Sequence, residues 1–131
     1  MAGRKVTEQL SVSPQITADD VPAIKAAGFR SIICNRPDGE EPGQPDFRAI
    51  EAAAKASGLD IRYQPVMSGG LRQQDVDAFA SLADELPAPI FAFCRSGTRC
   101  IFLWAHAETK KRPLPEILEM AKQAGYDLGG G

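Results

Sequence analysis

The sequence contains few of the residues from which metal sites and disulfide frameworks are built. Its 131 residues include one histidine and three cysteines. A single histidine without a Cys-x-x-Cys pair argues against a zinc site, so we expect no bound metal. Three cysteines in no regular spacing argue against a secreted disulfide scaffold and favour a reducing compartment. A chain of this length can bury a sufficient core without either device.

Long apolar stretches and a large excess of one charge are also missing. No stretch is long enough to span a bilayer, and the first eight residues lack the apolar core of a signal peptide. The net charge of -2 gives no global electrostatic reason to expect nucleic acid or an anionic membrane as a partner. No glycine-rich nucleotide fingerprint is present, so we expect no organic cofactor. These absences predict a cytoplasmic protein whose anion binding is local.

The sequence does contain short apolar runs that alternate with amphipathic segments. Strands that alternate with helices form a parallel sheet covered on both faces. We therefore predict a single α/β domain over residues 1–131, a compact parallel sheet flanked by helices, with frayed ends at 1–8 and 128–131. The predicted strands are residues 10–13, 29–34, 60–66 and 89–93.

The loop from Cys94 to Arg99, Cys-Arg-Ser-Gly-Thr-Arg, is the most informative segment. It joins a buried strand to a buried helix, so its amides can converge at the positive end of that helix and hold an anion. A cysteine that begins such a loop should be a low-pKa thiolate, the nucleophilic form of the side chain. A cysteine after an apolar strand is also often a small core residue. Gly97 permits a backbone conformation closed to other residues, and the two arginines supply cations that a purely structural turn does not require. We therefore predict that Cys94 is reactive.

Three loops should meet at the site that this cysteine begins. Ligands of parallel sheets bind beyond the carboxyl ends of the strands. Three segments follow such strand ends, and they begin after Cys34, Val66 and Phe93. The first of them contains Arg36 and Asp38. We interpret Glu40 and Glu41 as solvated loop charges. We interpret Cys100 as a residue that packs in the core.

The loop resembles the signatures of two enzyme families. Cys94-x-x-Gly97 followed by an arginine resembles the Cys-x5-Arg phosphate-binding signature of cysteine-dependent protein phosphatases. Cys94-Arg95-Ser96-Gly97 also resembles the active loop of rhodanese sulfurtransferases. Arg99 comes one position earlier than the phosphatase signature requires. Phosphatases usually have His before the nucleophile and Ser or Thr after the arginine, and neither is present here, so the loop alone favours neither family.

A wider resemblance covers roughly residues 10–107. The order of elements, with Asn-Arg-Pro-Asp-Gly-Glu-Glu-Pro-Gly-Gln-Pro at 35–45 and the 94–99 loop, resembles the phosphatase-like domain of beta-lactamase-hydrolase-like proteins. This small bacterial family is distantly related to dual-specificity phosphatases. The resemblance implies a fold like that of protein-tyrosine and dual-specificity phosphatases and a cysteinyl nucleophile. It leaves the substrate open, because some descriptions of the family favour sulfur transfer.

The resemblance also implies roles for individual residues. Cys94 would attack phosphorus, and Arg99 would clamp two phosphoryl oxygens with its planar fork. Backbone amides of the loop would hold the equatorial oxygens, and Arg95 would point outward toward substrate or solvent. The predicted anion-binding residues are Arg95, Ser96, Gly97, Thr98 and Arg36.

A general acid is missing from its usual place. Phosphatases take an aspartate from the loop after the third strand, and here that segment is Met-Ser-Gly-Gly at 67–70, without a carboxylate. Asp38 is the predicted substitute. Asp75 is a second candidate, although its position suits the first turn of a helix.

Three functions remain open at this level. The leading hypothesis is a cysteine-dependent phosphatase that works through a phosphocysteine intermediate. The second is a rhodanese-like sulfurtransferase that works through a Cys94 persulfide, and the third is an inactive anion-binding module. The expected partner is a phosphorylated substrate or a sulfane-sulfur donor, with no nucleic acid and no membrane. The sequence does not specify an oligomeric state.

Overall fold

A single five-stranded sheet organises residues 3–128, the part of the chain described in this computed structural model. The strand order is β1-β2-β5-β3-β4. Strands β2, β5, β3 and β4 run parallel, and β1 pairs antiparallel with β2 at one edge. The strands are Arg4–Lys5 (β1), Leu10–Ser13 (β2), Ser31–Cys34 (β3), Asp60–Tyr63 (β4) and Ile90–Phe93 (β5).

Helices cover both faces of this sheet. Helices α1 and α2 pack on one face, and α3, α4 and α5 pack on the other. A single 3-10 turn at Ala18–Asp20 leads into α1. None of the helices within residues 3–128 is long and apolar enough to cross a membrane. The helices are Val21–Ala26 (α1), Phe47–Ala56 (α2), Gln73–Glu85 (α3), Thr98–Glu108 (α4) and Leu114–Gln123 (α5).

Strand β5 lies at the centre of the sheet and joins the two cores. Its side chains alternate, so Phe91 and Phe93 pack with α1 and α2 while Ile90 and Ala92 pack with the other three helices. All four residues are buried, as expected for a strand covered on both sides. Full burial of a phenylalanine side chain contributes about 1.5 to 3 kcal/mol. The strand that ends before Cys94 is therefore one of the most firmly held segments of the fold.

The predicted α/β fold is confirmed, but the strand bounds differ in places, and β3 begins at Ser31, two residues after the predicted start at Phe29. Strand β4 ends at Tyr63, three residues before the predicted end at Val66. Pro65 has no N–H and so cannot continue the ladder. Gln64 and Val66 still donate backbone hydrogen bonds to Cys34 and Asn35, at 2.8 and 3.0 Å, which holds the segment that follows over the carboxyl end of β3.

The amino-terminal edge also differs from the prediction. Residues 1–8 were expected to be frayed, but Arg4 and Lys5 pair with Val12 and Ser11. The sheet is consequently not purely parallel. A two-residue strand is too short to produce a periodic pattern, which is why the sequence does not reveal it. Residues 1–2 and 129–131 lie outside the described residues.

Candidate active site

The carboxyl end of β5 passes into α4 through a tight loop that begins at Cys94. Gly97 is the residue before the first turn of α4 and has a φ of 92°. This left-handed conformation favours glycine, because a side chain would strain it. The turn aims the Gly97 N–H at the sulfur of Cys94, with a distance of 3.1 Å from nitrogen to sulfur. The loop thus forms a group of donors around the cysteine.

The Cys94 sulfur is buried and strongly stabilised as a thiolate. The pKa of Cys94 is lowered to about 5, mainly by a hydrogen bond from the Cys100 thiol and in smaller part by the backbone amides of Cys100, Arg99 and Gly97. Burial opposes this effect, because it disfavours the charged form. A pKa of about 5 leaves the group deprotonated at neutral pH. The predicted low-pKa thiolate therefore has a physical basis in this loop.

The other two cysteines lie nearby and remain thiols. Cys100 was interpreted as a packing residue, but its thiol donates to Cys94, and burial raises its own pKa well above the ordinary value. Cys100 directly follows the loop arginine, at the position where phosphatases usually have a hydroxyl donor. Its position in the sequence could therefore have indicated that it donates to Cys94. Burial also raises the pKa of Cys34 to about 12. The Cys34 sulfur donates to the carbonyl of Arg36 at 3.3 Å.

Arg99 is held by groups from two distant segments. Its Nη1 donates to the carbonyl of Val66 at 2.9 Å. The two terminal nitrogens each lie 2.8 Å from an oxygen of Glu40, so this pair is bidentate. Within residues 3–128 the Nε of Arg99 makes no hydrogen bond. The Nε edge of the guanidinium is consequently available to an anion.

Glu40 is an exposed loop residue, as the sequence suggested, but its carboxylate is paired with arginines. In addition to Arg99, it accepts a hydrogen bond from the Nε of Arg36 at 2.9 Å. The hydrogen bond from Arg99 is the main reason that the pKa of Glu40 falls to about 2. Glu40 is therefore ionised at neutral pH and cannot serve as a proton donor. Glu40 lies in a loop that follows the carboxyl end of a strand, where ligands bind in such sheets. This position in the sequence could have indicated a role in the site.

Arg36 lies in the cleft but uses its donors on the protein itself. Its side chain is 3% exposed. The Nε binds Glu40, Nη2 binds Glu41 at 2.8 Å and Nη1 binds the side-chain oxygen of Gln15 at 3.1 Å. All three guanidinium nitrogens thus have partners within the protein. The structure gives Arg36 the position of a brace for the two carboxylates, whereas the sequence suggested a direct anion ligand.

The two predicted acid candidates lie away from the cleft. Asp38 accepts a hydrogen bond from the backbone N–H of Phe47, at the start of α2, with a distance of 2.9 Å. Asp75 accepts from the backbone and guanidinium of Arg72, which lowers its pKa. Both carboxylates satisfy N–H groups at the start of a helix, where negative charge is favoured. Neither Asp38 nor Asp75 is among the described residues that line the cleft.

The three predicted loops do converge on one open cleft of about 740 Å³. Arg95 points outward with its side chain 68% exposed and lies 3.9 Å from Glu41. At the cleft mouth the Ser96 hydroxyl donates to the Thr98 hydroxyl at 2.9 Å. The loop residues that line the cleft are Arg36, Glu40, Glu41, Met67, Ser68, Gly69, Leu71, Arg95, Ser96, Thr98 and Arg99, and α4 adds Phe102 and His106.

One wall of the cleft is apolar. Met67 is 69% exposed and Phe102 is 38% exposed, and both line the cleft. His106 lines the far end of this wall and stacks on Phe102 with ring centroids 6.4 Å apart. It follows Thr98 by eight residues, so it lies roughly 12 Å along the helix from the loop. The apolar wall and His106 are consequently placed to contact a remote part of a ligand.

Comparison with known proteins agrees with this geometry. Residues 3–110 match the family described as beta-lactamase hydrolase-like protein, phosphatase-like domain. The chain is 36% identical over 130 residues to the beta-lactamase hydrolase-like protein of Agrobacterium fabrum, and the alignment covers 98% of this chain and 30% of that protein. The chain thus spans less than a third of the length of this relative.

Solved structures extend the comparison to the fold. A candidate phosphatase from Neisseria meningitidis is 39% identical, with a TM-score of 0.88 over 98% of this chain and 92% of that one. The Pseudomonas aeruginosa protein TpbA, in complex with phosphotyrosine, is 13% identical, with a TM-score of 0.68 over 91% and 72% of the two chains. The fold is that of protein-tyrosine and dual-specificity phosphatases. The chain belongs to the family of beta-lactamase hydrolase-like phosphatase-like domains.

Proposed function

We propose that this domain is a cysteine-dependent phosphatase that hydrolyses phosphoesters through a phosphocysteine intermediate. The observation that carries the proposal is the Cys94 sulfur, which begins the loop, accepts from the Gly97 N–H at 3.1 Å and has its pKa lowered to about 5. The proposal is supported by the 39% identity to a candidate phosphatase. The phosphotyrosine bound to a protein of the same fold is consistent with a phosphorylated substrate.

The reaction would proceed in two displacements. In the first, the Cys94 sulfur attacks phosphorus, an S–P bond forms, and the P–O bond to the leaving group breaks. In the second, water attacks phosphorus, the S–P bond breaks, and inorganic phosphate leaves with the thiolate restored. Amides of the loop would hold the equatorial oxygens in both steps, where charge is spread over those atoms.

Arg99 would bind the phosphoryl group, and Glu40 would orient Arg99. The Nε edge of Arg99 would bind two oxygens as a planar fork. Glu40 would act as a positioning residue, because it holds the opposite edge of the guanidinium through two bonds of 2.8 Å. An arginine already fixed in place loses less side-chain entropy when the substrate binds.

The cleft favours substrates whose leaving group needs no proton. Glu40 and Glu41, the carboxylates that line it, both have lowered pKa values because arginines donate to them. Alkyl phosphates depend strongly on a general acid, whereas phenols leave readily as anions. The exposed wall of Met67 and Phe102 suits an aromatic ring. We therefore assign aryl phosphates as the substrate class.

A sulfurtransferase is the second candidate, and the lack of a protonated carboxyl among the described cleft residues favours it. In this chemistry the Cys94 thiolate attacks the outer sulfur of thiosulfate, an S–S bond forms, and sulfite leaves with the electrons of the broken bond. A nucleophile such as cyanide then takes the outer sulfur of the persulfide and restores the thiolate. Neither step requires an acid in the cleft. The short loop, with Arg99 after four intervening residues, also suits a single sulfur better than a phosphoryl group.

A side-by-side assay separates these functions. Wild type, Cys94→Ser and Arg99→Ala are assayed on an aryl phosphate and on thiosulfate with cyanide, and Cys34→Ser serves as the control for loss of a buried thiol. We expect Cys94→Ser and Arg99→Ala to lose phosphate release and Cys34→Ser to keep it. Thiocyanate formation that depends on Cys94, without phosphate release between about pH 5 and 8, would replace the phosphatase by the sulfurtransferase. Neither activity would leave an anion-binding module.

A further inference from the structure

The peptide unit between Ser96 and Gly97 makes hydrogen bonds at both of its ends. At one end, the Gly97 N–H points at the Cys94 sulfur, 3.1 Å away. At the other end, the Ser96 carbonyl accepts a hydrogen bond from the hydroxyl of Tyr126 at 3.0 Å. A trans peptide is planar, with its N–H and C=O directed to opposite sides. The contact that fixes the carbonyl therefore also fixes the direction of the N–H.

Tyr126 reaches the loop because of how α5 ends. Gly125 has a φ of 96°, in the left-handed region. Its N–H donates to the carbonyl of Lys122 at 2.9 Å, and the N–H of Tyr126 donates to the carbonyl of Ala121 at 2.9 Å. These two bonds form a Schellman motif, the glycine-dependent helix end. The motif turns the chain back so that the Tyr126 ring packs against the core beside α4 and α5.

The fit between Tyr126 and the loop is close. A methyl group on Gly97 would collide with the Tyr126 hydroxyl. Burial raises the pKa of Tyr126, so its hydroxyl stays protonated and remains a donor at neutral pH. The preceding carbonyl of the loop, that of Arg95, is turned away in the same manner and accepts from the N–H of Gln15 at 3.2 Å. Two consecutive loop carbonyls are thus held away from the thiolate by groups outside the loop.

We infer that Tyr126 is a positioning residue for the nucleophile. Through the Ser96 carbonyl it keeps the Gly97 N–H aimed at the sulfur of Cys94 and so contributes to stabilising the thiolate. Without the hydroxyl, the peptide unit can rotate, and a rotated unit would present a carbonyl oxygen to a negative charge. Tyr126 lies beyond residues 3–110, the segment matched to the family, so the family match does not imply this role. The inference rests on the proposed role of Cys94 as nucleophile, but not on the choice between phosphate and sulfur chemistry.

The test is Tyr126→Phe, which removes one oxygen and keeps the ring. Tyr63→Phe is the matched control, because that hydroxyl also bonds a backbone group, the Asp38 N–H at 2.9 Å, but lies outside the 94–99 loop. The rate of Cys94 alkylation by iodoacetamide is followed from acid to alkaline pH, beyond the ordinary thiol pKa of about 8.5, with the modified cysteine located by peptide mass spectrometry. Thermal melting establishes that each variant is folded.

We expect an alkylation midpoint near the Cys94 pKa of about 5 in wild type and in Tyr63→Phe. In Tyr126→Phe we expect the midpoint to rise by about one pH unit, so that the rate at pH 5 falls about fivefold. A tyrosine that merely packs would lower the melting temperature and leave the midpoint unchanged. A midpoint near 5 in both wild type and Tyr126→Phe would overturn this inference alone. A wild-type midpoint near the ordinary thiol value of about 8.5 would overturn the nucleophile itself and the inference with it.

Discussion

Both carboxylate oxygens of Glu40 lie 2.8 Å from the terminal nitrogens of Arg99, although the two residues are 59 positions apart. Arg36, which is almost fully buried, holds Glu40 from the other side. The pair uses one edge of the Arg99 guanidinium and leaves the Nε edge open. The geometry therefore favours orientation of the arginine by Glu40 over competition between Glu40 and a bound anion.

The first prediction concerns this orientation. Glu40→Gln replaces a charged bidentate pair by a single neutral hydrogen bond, and we expect kcat on an aryl phosphate to fall about tenfold. Steady-state kinetics measure the change. Glu41→Gln is the control, since Glu41 bonds Arg36 and lies 3.9 Å from Arg95 but does not contact Arg99. A lower KM or a faster reaction in Glu40→Gln would mean instead that the carboxylate blocks the anion site.

The second prediction concerns stability in acid. The pKa of Glu40 is lowered to about 2 in the folded protein, so its pairing stabilises the fold above the unfolded pKa of about 4.5. That contribution is lost as the pH falls from about 4.5 toward 2. We expect wild type to exceed Glu40→Gln by about 1 kcal/mol in free energy of unfolding at pH 7, because solvent screens a partly exposed pair. Denaturant unfolding at pH 7 and pH 2.5 should show the difference shrinking in acid, and an equal difference at both values would contradict it.

The third prediction concerns the thiol donor beside the nucleophile. Cys100→Ala removes the hydrogen bond that does most to lower the pKa of Cys94, so that pKa should rise. Cys100→Ser keeps a donor of similar size and should hold it near the wild-type value. Thiolate absorbance near 240 nm, followed against pH, measures the midpoint in both variants. Identical midpoints in wild type and Cys100→Ala would contradict the assignment of Cys100 as donor.

The fourth prediction concerns selectivity among the three cysteines. At pH 6 only Cys94 is a thiolate, because its pKa is about 5 whereas burial raises that of Cys34 to about 12 and that of Cys100 well above its ordinary value. Brief alkylation of the folded protein should therefore modify Cys94 alone, and alkylation in denaturant should modify all three. Equal labelling of Cys34 and Cys94 in the folded protein would remove the case for a special thiolate.

What could be predicted from the sequence depends on the range of the interactions. The strand before Cys94 and the loop after it follow from local patterns of burial, glycine and charge, so the low pKa of the Cys94 thiol could be predicted from the sequence, while its role as nucleophile stays a proposal. Glu40 and Tyr126 reach the loop from 59 and 30 residues away, and no local periodicity encodes such contacts. Cys100 lies within the helix pattern, where a buried thiol looks the same whether it packs or donates.

Asp38 shows the converse limit of sequence reasoning. Its position in a converging loop predicted a general acid, and the loop does converge, but the carboxylate is directed at the start of α2. Composition places a residue near a site without fixing the direction of its side chain. The N–H groups at the start of a helix favour a nearby carboxylate and can orient it away from a cleft. The direction of the Asp38 side chain was therefore a part of the site that the sequence could not predict.

The last prediction follows from the absence of a protonated carboxyl among the described residues that line the cleft. Without an acid the leaving group departs as an anion, so kcat/KM should fall steeply as the pKa of the leaving phenol rises. We expect a loss of about 100-fold or more from nitrophenyl to phenyl phosphate. Asp38→Asn should leave this dependence unchanged.

A variant that adds an acid to the cleft should reduce the dependence of the rate on the leaving group. Ser68 is exposed, lines the cleft and lies in the segment where phosphatases carry their aspartate. Ser68→Asp should therefore raise the rate on phenyl phosphate more than on nitrophenyl phosphate and add a basic limb to its pH profile, because the new acid must be protonated to act. Ser68→Asn is the matched control without a proton to donate. Two results together would restore Asp38 as the acid. In wild type, kcat/KM would not depend on the pKa of the leaving phenol, and the basic limb of the pH profile would disappear in Asp38→Asn. Only a proton donor removes the sensitivity to the leaving group.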